Sequence, residues 1–204
     1  VKPTTFIFDM DDVLCRYDKP KRIAYLAEIS GVAPQDVQER IWGSGFEDDA
    51  DMGVYPDGES YLAAFADKLG YPLTRQQWID ARVHCMTPDP EMLDIVAKLK
   101  QQGRVAILTN NVPLLQDTLD EVFPAVHTMF GQHIFFSCSL RLGKPDPQIY
   151  HAVAGLLGVA ASACLFADDK LANAEGATKA GMTGVHFTDA IAFADKLREL
   201  GVVV

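Results

Sequence analysis

Four groups of reactive side chains stand where short apolar runs end. Phe6-Ile7-Phe8 runs into Asp9-Met10-Asp11-Asp12, Val105-Ala106-Ile107-Leu108 into Thr109-Asn110-Asn111, and Cys164-Leu165-Phe166-Ala167 into Asp168-Asp169. Lys144 sits in the turn Gly143-Lys144-Pro145-Asp146-Pro147. A carboxylate can attack phosphorus while a second acid nearby protonates the leaving oxygen and later deprotonates water. A hydroxyl and free backbone N–H groups at a helix start make an anion site, strengthened by the helix dipole. A lysine on a turn stiffened by prolines can offset charge between nucleophile and phosphate. Two adjacent carboxylates at the end of a buried strand repel each other unless a cation is present. With Asp9 they can hold Mg²⁺, which takes hard oxygen ligands.

Each group also has an ordinary reading. Asp-x-Asp occurs as a metal motif in sugar transferases, and acids at strand ends often only cap helices. Thr109 or Asn111 can cap the helix that follows, Lys144 can be a solvated lysine, and one of Asp168 and Asp169 can cap a helix over Lys170–Ala180. Each is tolerable singly, but the four together are not.

The elements that must position these groups can be read from hydrophobic pattern. From Asp89 onward helix and strand alternate. Asp89-Pro90 opens a helix with apolar Met92, Leu93, Val96 and Leu99, and Gly103 is read as its stop. The continuously apolar strand Val105–Leu108 follows, and Ile134–Phe136, Cys164–Phe166 and Val185–Phe187 repeat the pattern of parallel strands covered on both faces. Helices are expected from near Val112-Pro113, Asp146-Pro147, Lys170 and Asp189, with Gly158, Gly181 and Gly201 at C-terminal stops. Such units predict an α/β fold, an open parallel sheet with ligands at the carboxyl ends of its strands. Residues 15–88 break the alternation with helical segments at 21–29, 34–42, 59–69 and 75–86. They read as an all-helical insert entered near Leu14–Tyr17 and left near Thr87–Pro90.

In the order Asp-x-Asp, Thr, Lys, Asp-Asp, the chain resembles the haloacid dehalogenase-like hydrolases, in the subclass with a helical cap after the first motif and a doubled acid in the last. The resemblance implies a three-layer Rossmann-like parallel core over 1–14 and 89–204, with a cap over 15–88. It implies Asp9 as nucleophile and Asp11 as general acid/base, with the Asp11 backbone carbonyl on Mg²⁺. Thr109 and the Asn110 amide would bind phosphate and Lys144 would steady both. Asp169, ahead of Asp168, would meet the metal, and Asn173 takes the place often held by a further Asp. Asp12 stands where the family usually has Gly, and Ser139 and Arg141 stand where an acid and a Gly are more usual. The activity implied is a Mg²⁺-dependent phosphatase acting on a small soluble ester such as a sugar phosphate. A haloacid dehalogenase, which needs neither metal nor the second aspartate, and a phosphomutase on the same residues are the alternatives. A phosphonatase would need a lysine from the insert, where Lys19, Lys21 and Lys68 lie. A response-regulator receiver lacks the helical insert, and a silent binding protein would be expected to have lost one of these groups.

Bulk properties agree with this. The chain has 204 residues, 28 acidic against 18 basic, and a formal net charge of −10. Nucleic acid and anionic membranes, which need a basic face, are not expected partners. An enzyme this acidic must supply positive potential locally to meet a phosphate. The four cysteines form no C-x-x-C pair, and the five histidines show no ligand spacing. Reduced thiols, no apolar run long enough for a membrane span, and a first strand that begins by Thr5 without room for a leader give cytoplasmic as the expected location. Cys15, just past the acids, is read as a small junction residue rather than a nucleophile.

Overall fold

The computed structural model describes residues 2–204. Its strands are β1 (Thr5–Phe8), β2 (Cys15–Tyr17), β3 (Met86–Pro88), β4 (Arg104–Thr109), β5 (Ile134–Phe136), β6 (Cys164–Asp168) and β7 (Thr183–His186). Five of them form a parallel sheet in the order β5-β4-β1-β6-β7. The chain starts in the middle, builds outward to one edge, then crosses to build the other. The reversal falls between β1 and β6, and in open α/β sheets the ligand crevice lies at that point, beyond the strand carboxyl ends.

Side-chain alternation along the strands makes the layers. Phe6 and Phe8 of β1, Val105 and Ile107 of β4, and Leu165 and Ala167 of β6 enter one core, while Ile7, Ala106, Leu108, Cys164 and Phe166 enter the other. A continuous apolar run is therefore required in each central strand, because both faces are covered.

The helices are α1 (Lys19–Ser30), α2 (Pro34–Gln38), α3 (Phe46–Asp51), α4 (Gly58–Leu69), α5 (Arg75–Cys85), α6 (Pro90–Lys100), α7 (Pro113–Val122), α8 (Pro124–Phe130), α9 (Ser137–Leu140), α10 (Pro147–Leu157), α11 (Leu171–Lys179) and α12 (Ala190–Glu199). Met92, Val96 and Leu99 of α6, Val126 and Phe130 of α8, and Phe193 and Leu197 of α12 fill the first core; Ile149, Tyr150 and Val153 of α10 and Ala177 of α11 fill the second. Aspartates open several helices by accepting backbone N–H groups: Asp89 from Glu91 and Met92, Asp146 from Gln148, and Asp189 from Ala192. Among the described residues no helix is long and apolar enough to cross a membrane.

Helices α1–α5 lie between β1 and β4 in sequence and pack around their own aromatic cluster. Phe46 stacks on Tyr61 with ring centroids 5.4 Å apart, and the Trp78 ring stands perpendicular to Tyr61 at a centroid distance of 6.0 Å. The helical segment also rests on α7: Gly58 donates its N–H to Asp117 Oδ2 at 3.2 Å, and Arg75 donates to the Asp117 carbonyl at 3.3 Å.

Four sequence expectations need correction. The insert over 15–88, expected to be all helical, begins and ends in strand: β2 and β3 pair antiparallel, Cys15 opposite Pro88 and Tyr17 opposite Met86. The helix expected over 34–42 is a short α-helix followed by a π-helical turn, Glu39–Gly43. Helices α3, α8 and α9 were not anticipated. Gly103 lies beyond the end of α6 at Lys100 rather than at its cap, although its N–H still donates to the Leu99 carbonyl at 3.0 Å. Gly103 instead lets backbones meet, because a Cβ there would lie 2.2 Å from the Thr4 carbonyl oxygen.

Candidate active site

All four groups of reactive side chains converge on the crevice beyond β1 and β6. Asp9 follows β1 directly and is 7% exposed. Its Oδ1 accepts the Met10 N–H at 2.8 Å and faces Lys144 Nζ at 2.9 Å. Among the described residues its Oδ2 has no hydrogen-bond partner, so one carboxylate oxygen is held and the other is free. The Asp9 carboxyl is raised to about 7, because burial, aided by Asp168, outweighs the downward pull of the Lys144 ammonium.

Lys144 is buried between two acids, donating to Asp168 Oδ2 at 2.6 Å as well as facing Asp9. Burial alone would lower its pKa, but Asp9 and Asp168 hold the ammonium above its usual range. The turn that carries it is braced by Asn110, whose Oδ1 accepts the Lys144 N–H at 3.0 Å and whose Nδ2 donates to the Lys144 carbonyl at 3.1 Å. The Asn110 side chain is thus occupied, leaving its main-chain N–H as the group that can meet a ligand. Gly176 of α11 packs against the same turn, where a Cβ would lie 2.3 Å from the Pro145 carbonyl oxygen.

Asp168 and Asp169 are adjacent but differently placed. Asp168 is fully buried, and its carboxylate accepts from Lys144, from Asn173 Nδ2 at 3.0 Å and from the Lys170 N–H at 2.8 Å. Asp169 lines the pocket, its pKa raised by burial and then by Asp168. Asp9, Asp168 and Asp169 each offer a carboxylate oxygen, and these atoms lie within 4.8 Å of one another. Three hard oxygen donors gathered so closely fit Mg²⁺.

Thr109 ends β4 with its Oγ1 accepting from Asn111 Nδ2 at 2.8 Å. Neither residue caps α7, which begins after Val112 without a side-chain cap. Asn111 instead reaches Asp11 Oδ2 at 3.3 Å. The turn past β1 needs a left-handed residue at Asp12, φ 59°, which explains why glycine suits the position and how an aspartate is tolerated there. Asp12 Oδ1 accepts the Tyr17 N–H at 2.9 Å and so fastens the turn to β2. Cys15 is buried in β2 with its thiol pushed up by burial and by Asp11, the opposite of an activated nucleophile.

The pocket bounded by these groups has a volume of about 370 Å³. Its far wall was not foreseen. Arg82 of α5 donates to Asp11 Oδ2 at 2.5 Å and to Asn111 Oδ1 at 3.3 Å, and Arg22 of α1 lies 3.7 Å from Glu47. Both arginines are almost fully buried. Of the aromatic residues in the helical segment, Tyr17 and Trp42 line the pocket, whereas Phe46 and Tyr61 belong to the cluster behind it. Arg141 does not line it, so the local positive charge comes from Lys144 and Lys170 on the sheet side and from Lys19, Arg22 and Arg82 opposite. A signal for the two buried arginines was present: Arg22 precedes Leu26 by four residues, and Arg82 follows Trp78 by four, so both fall on apolar helix stripes.

A family model described as haloacid dehalogenase-like hydrolase matches residues 3–181. The chain belongs to that family. Its parallel sheet and helical layers are those of a haloacid dehalogenase-like hydrolase, and it is an enzyme of that hydrolase class. A phosphatase of Mycobacterium tuberculosis is 29% identical over 183 residues, covering 86% of this chain and 83% of that protein. A sesquiterpene phosphatase of Aspergillus oryzae is 32% identical over 124 residues, a match that spans 57% of this chain and only 59% of the relative. An enzyme of the same family from Bacteroides thetaiotaomicron, solved with magnesium and inorganic phosphate, shares the fold with a TM-score of 0.75 at 20% identity, covering 89% of this chain and 92% of the other.

Proposed function

We propose that this hydrolase is a Mg²⁺-dependent phosphatase of small phosphate esters, working through a phosphorylated Asp9. The observation that carries this reading is the asymmetry at Asp9, whose Oδ1 is fixed by Lys144 and the Met10 N–H while its Oδ2 is free at the pocket floor. The free oxygen forms a bond to phosphorus as the ester P–O bond breaks, and the departing oxygen takes the proton of the Asp11 carboxyl. Water then attacks the phosphorus of the aspartyl phosphate and gives a proton to Asp11, releasing inorganic phosphate and restoring both acids.

Thr109 Oγ1 and the main-chain N–H of Asn110 would receive the phosphoryl oxygens, and Lys144 orients Asp9 and favours its ionised form against the effect of burial. Asp9, Asp169 and Asp168 would hold Mg²⁺, with the Asp11 carbonyl completing the protein ligands. When bound, the cation offsets the negative charge of the phosphoryl group and its acidic surroundings. The buried Asp168 serves mainly as the anchor of Lys144, which favours Asp169 as the more direct ligand.

Residues 15–88 act in this reading as a cap over a core of 1–14 and 89–204. The β2–β3 ribbon would be the hinge, and closure excludes water from the reacting phosphorus. A 370 Å³ space beneath that wall suits a metabolite rather than a folded phosphoprotein. Release of phosphate from a panel of phosphorylated metabolites, with and without chelator, tests the reading. Wild type is expected to turn over at least one metabolite only with Mg²⁺, and Asp9→Asn none. Full activity after exhaustive chelation would mean metal-free, dehalogenase-type chemistry. Turnover by Asp9→Asn would remove the nucleophile assignment, and efficient hydrolysis of a folded phosphoprotein would remove the cap assignment.

A further inference from the structure

Arg82 is an unusual residue to bury. It is 3% exposed, its Nε has no hydrogen-bond partner, and only Nη2 donates, to Asp11 and to Asn111. Its guanidinium lies over the Tyr17 ring, 4.5 Å from the centroid. Burying a charge with one nitrogen unsatisfied does not serve stability well, since an apolar side chain of similar volume is often neutral or better there. What the arrangement does is fix a carboxylate. Asp11 belongs to no helix or strand, follows a strand end by three residues and keeps about a quarter of its side chain in solvent. It meets Cys15 Sγ at 3.8 Å through Oδ1, whereas Oδ2 is gripped by Arg82 and Asn111.

We infer that Arg82 is a positioning residue for Asp11, holding its carboxyl at the angle from which it protonates the leaving oxygen. This rests on the phosphatase reading and adds to it a residue from the helical segment that no motif of the core supplies. The location of Arg82 suits such a task. It stands one turn before β3, beside the proposed hinge, so it moves less than the distant parts of α3 and α4 when the segment swings. Tyr17 of β2 supports the guanidinium from the other hinge strand. The Arg82–Asp11–Asn111–Thr109 chain of hydrogen bonds therefore joins the hinge to the phosphate-binding end of β4.

A group that only supports the fold would affect all substrates alike, whereas a group that positions a general acid matters most where the leaving oxygen needs a proton. The test compares kcat/KM, which reports the first phosphoryl transfer, for a primary alkyl phosphate and for 4-nitrophenyl phosphate. General acid catalysis contributes about 10²–10⁴-fold. Arg82→Gln is expected to lose at least about 100-fold on the alkyl ester and less than about 5-fold on the nitrophenyl ester, with Arg82→Lys recovering part of the alkyl activity. Equal losses on both esters would overturn the inference.

Crystal structures of wild type and Arg82→Gln give a readout independent of turnover. The Asp11 carboxylate is expected to leave its place against Asn111 in the variant, and an unmoved carboxylate would overturn the inference. If Arg82→Gln does not fold, Arg82→Lys, which keeps the charge, is put through both measurements with the same criteria. A wild type that hydrolyses neither ester nor any metabolite would count against the phosphatase reading, and the position of Asp11 would then decide the role of Arg82.

Discussion

Replacing Asp9 by Asn removes a negative charge from a place where burial opposes one. The carboxyl is 7% exposed, and its pKa stands at about 7 in the folded chain instead of 3.8. With the folded value raised, the folded state holds the proton more tightly than the unfolded one. The stability this supplies is complete below about pH 4 and is lost as pH rises from there through about 7. At about 1.4 kcal/mol per pH unit, the separation amounts to roughly 4 kcal/mol by pH 8. That figure is a ceiling, because water entering the pocket relieves part of the burial.

Asn cannot ionise, yet it retains an oxygen for the Met10 N–H and the Lys144 ammonium. In chelator at pH 8, Asp9→Asn is therefore expected to exceed wild type by about 1–4 kcal/mol, and by about 1 kcal/mol or less at pH 4.5. Urea denaturation at the two pH values measures both numbers. Mg²⁺ should shrink the gap at pH 8 by giving the ionised wild-type carboxylate a cation. A variant no more stable than wild type at pH 8, or one with the same gain at both pH values, would refute the account of Asp9 as a carboxylate held against its burial.

Lys144→Ala would leave Asp9 and Asp168 buried without their shared cation, so a loss of about 3–5 kcal/mol is expected in chelator at pH 8. Wild-type stability in that variant would show that the ammonium does not organise the acids. Gly176→Ala sets a methyl against the Pro145 carbonyl oxygen and must displace either α11 or the Lys144 turn. It should cost about 1–3 kcal/mol and depress phosphate release further than the lost folded fraction explains. Gly155→Ala, on a helix surface with nothing within 4 Å, is the control and should gain up to about 1 kcal/mol.

The sheet was legible because its central strands are buried on both faces. Phe6-Ile7-Phe8 and Val105–Leu108 admit no polar residue, whereas the acids and Thr109 come immediately afterwards. The helices after Asp89, Asp146 and Asp189 were legible through the capping aspartate, with proline beside it in the first two. Strands β2 and β3 were not, since three residues such as Cys15-Arg16-Tyr17 are too few to display a period of two. Their pairing depends on the two ends of the insert meeting in space. Arg82 and Asn111 were hidden for another reason. Their value lies in contacts between residues 29 and 71 positions apart, whereas a motif reports only neighbours in sequence. The apolar stripe of α5 did mark Arg82 as misplaced, and that local conflict was the available clue.

The charge distribution explains why an acidic chain can have an anionic substrate and why the two sides of its pocket are not equivalent. Opposite the sheet, the cations are near carboxylates they can offset: Arg82 with Asp11, and Arg22 beside Glu47. On the sheet side, Lys144 alone stands between Asp9 and Asp168, and Asp169 adds a third carboxylate. With all three ionised, these acids and Lys144 carry a formal charge of −2, which Lys170 on the same wall reduces but does not cancel where the phosphorus must arrive. The protein's own cations therefore neutralise the cap-facing acid but leave the nucleophile's surroundings negative, and a divalent cation is what would cancel the remainder. Removing the Asp9 charge and removing the cation thus act on the same balance in opposite directions. The first eases repulsion at the cost of the attacking group, and the second keeps the attacking group but bars its substrate.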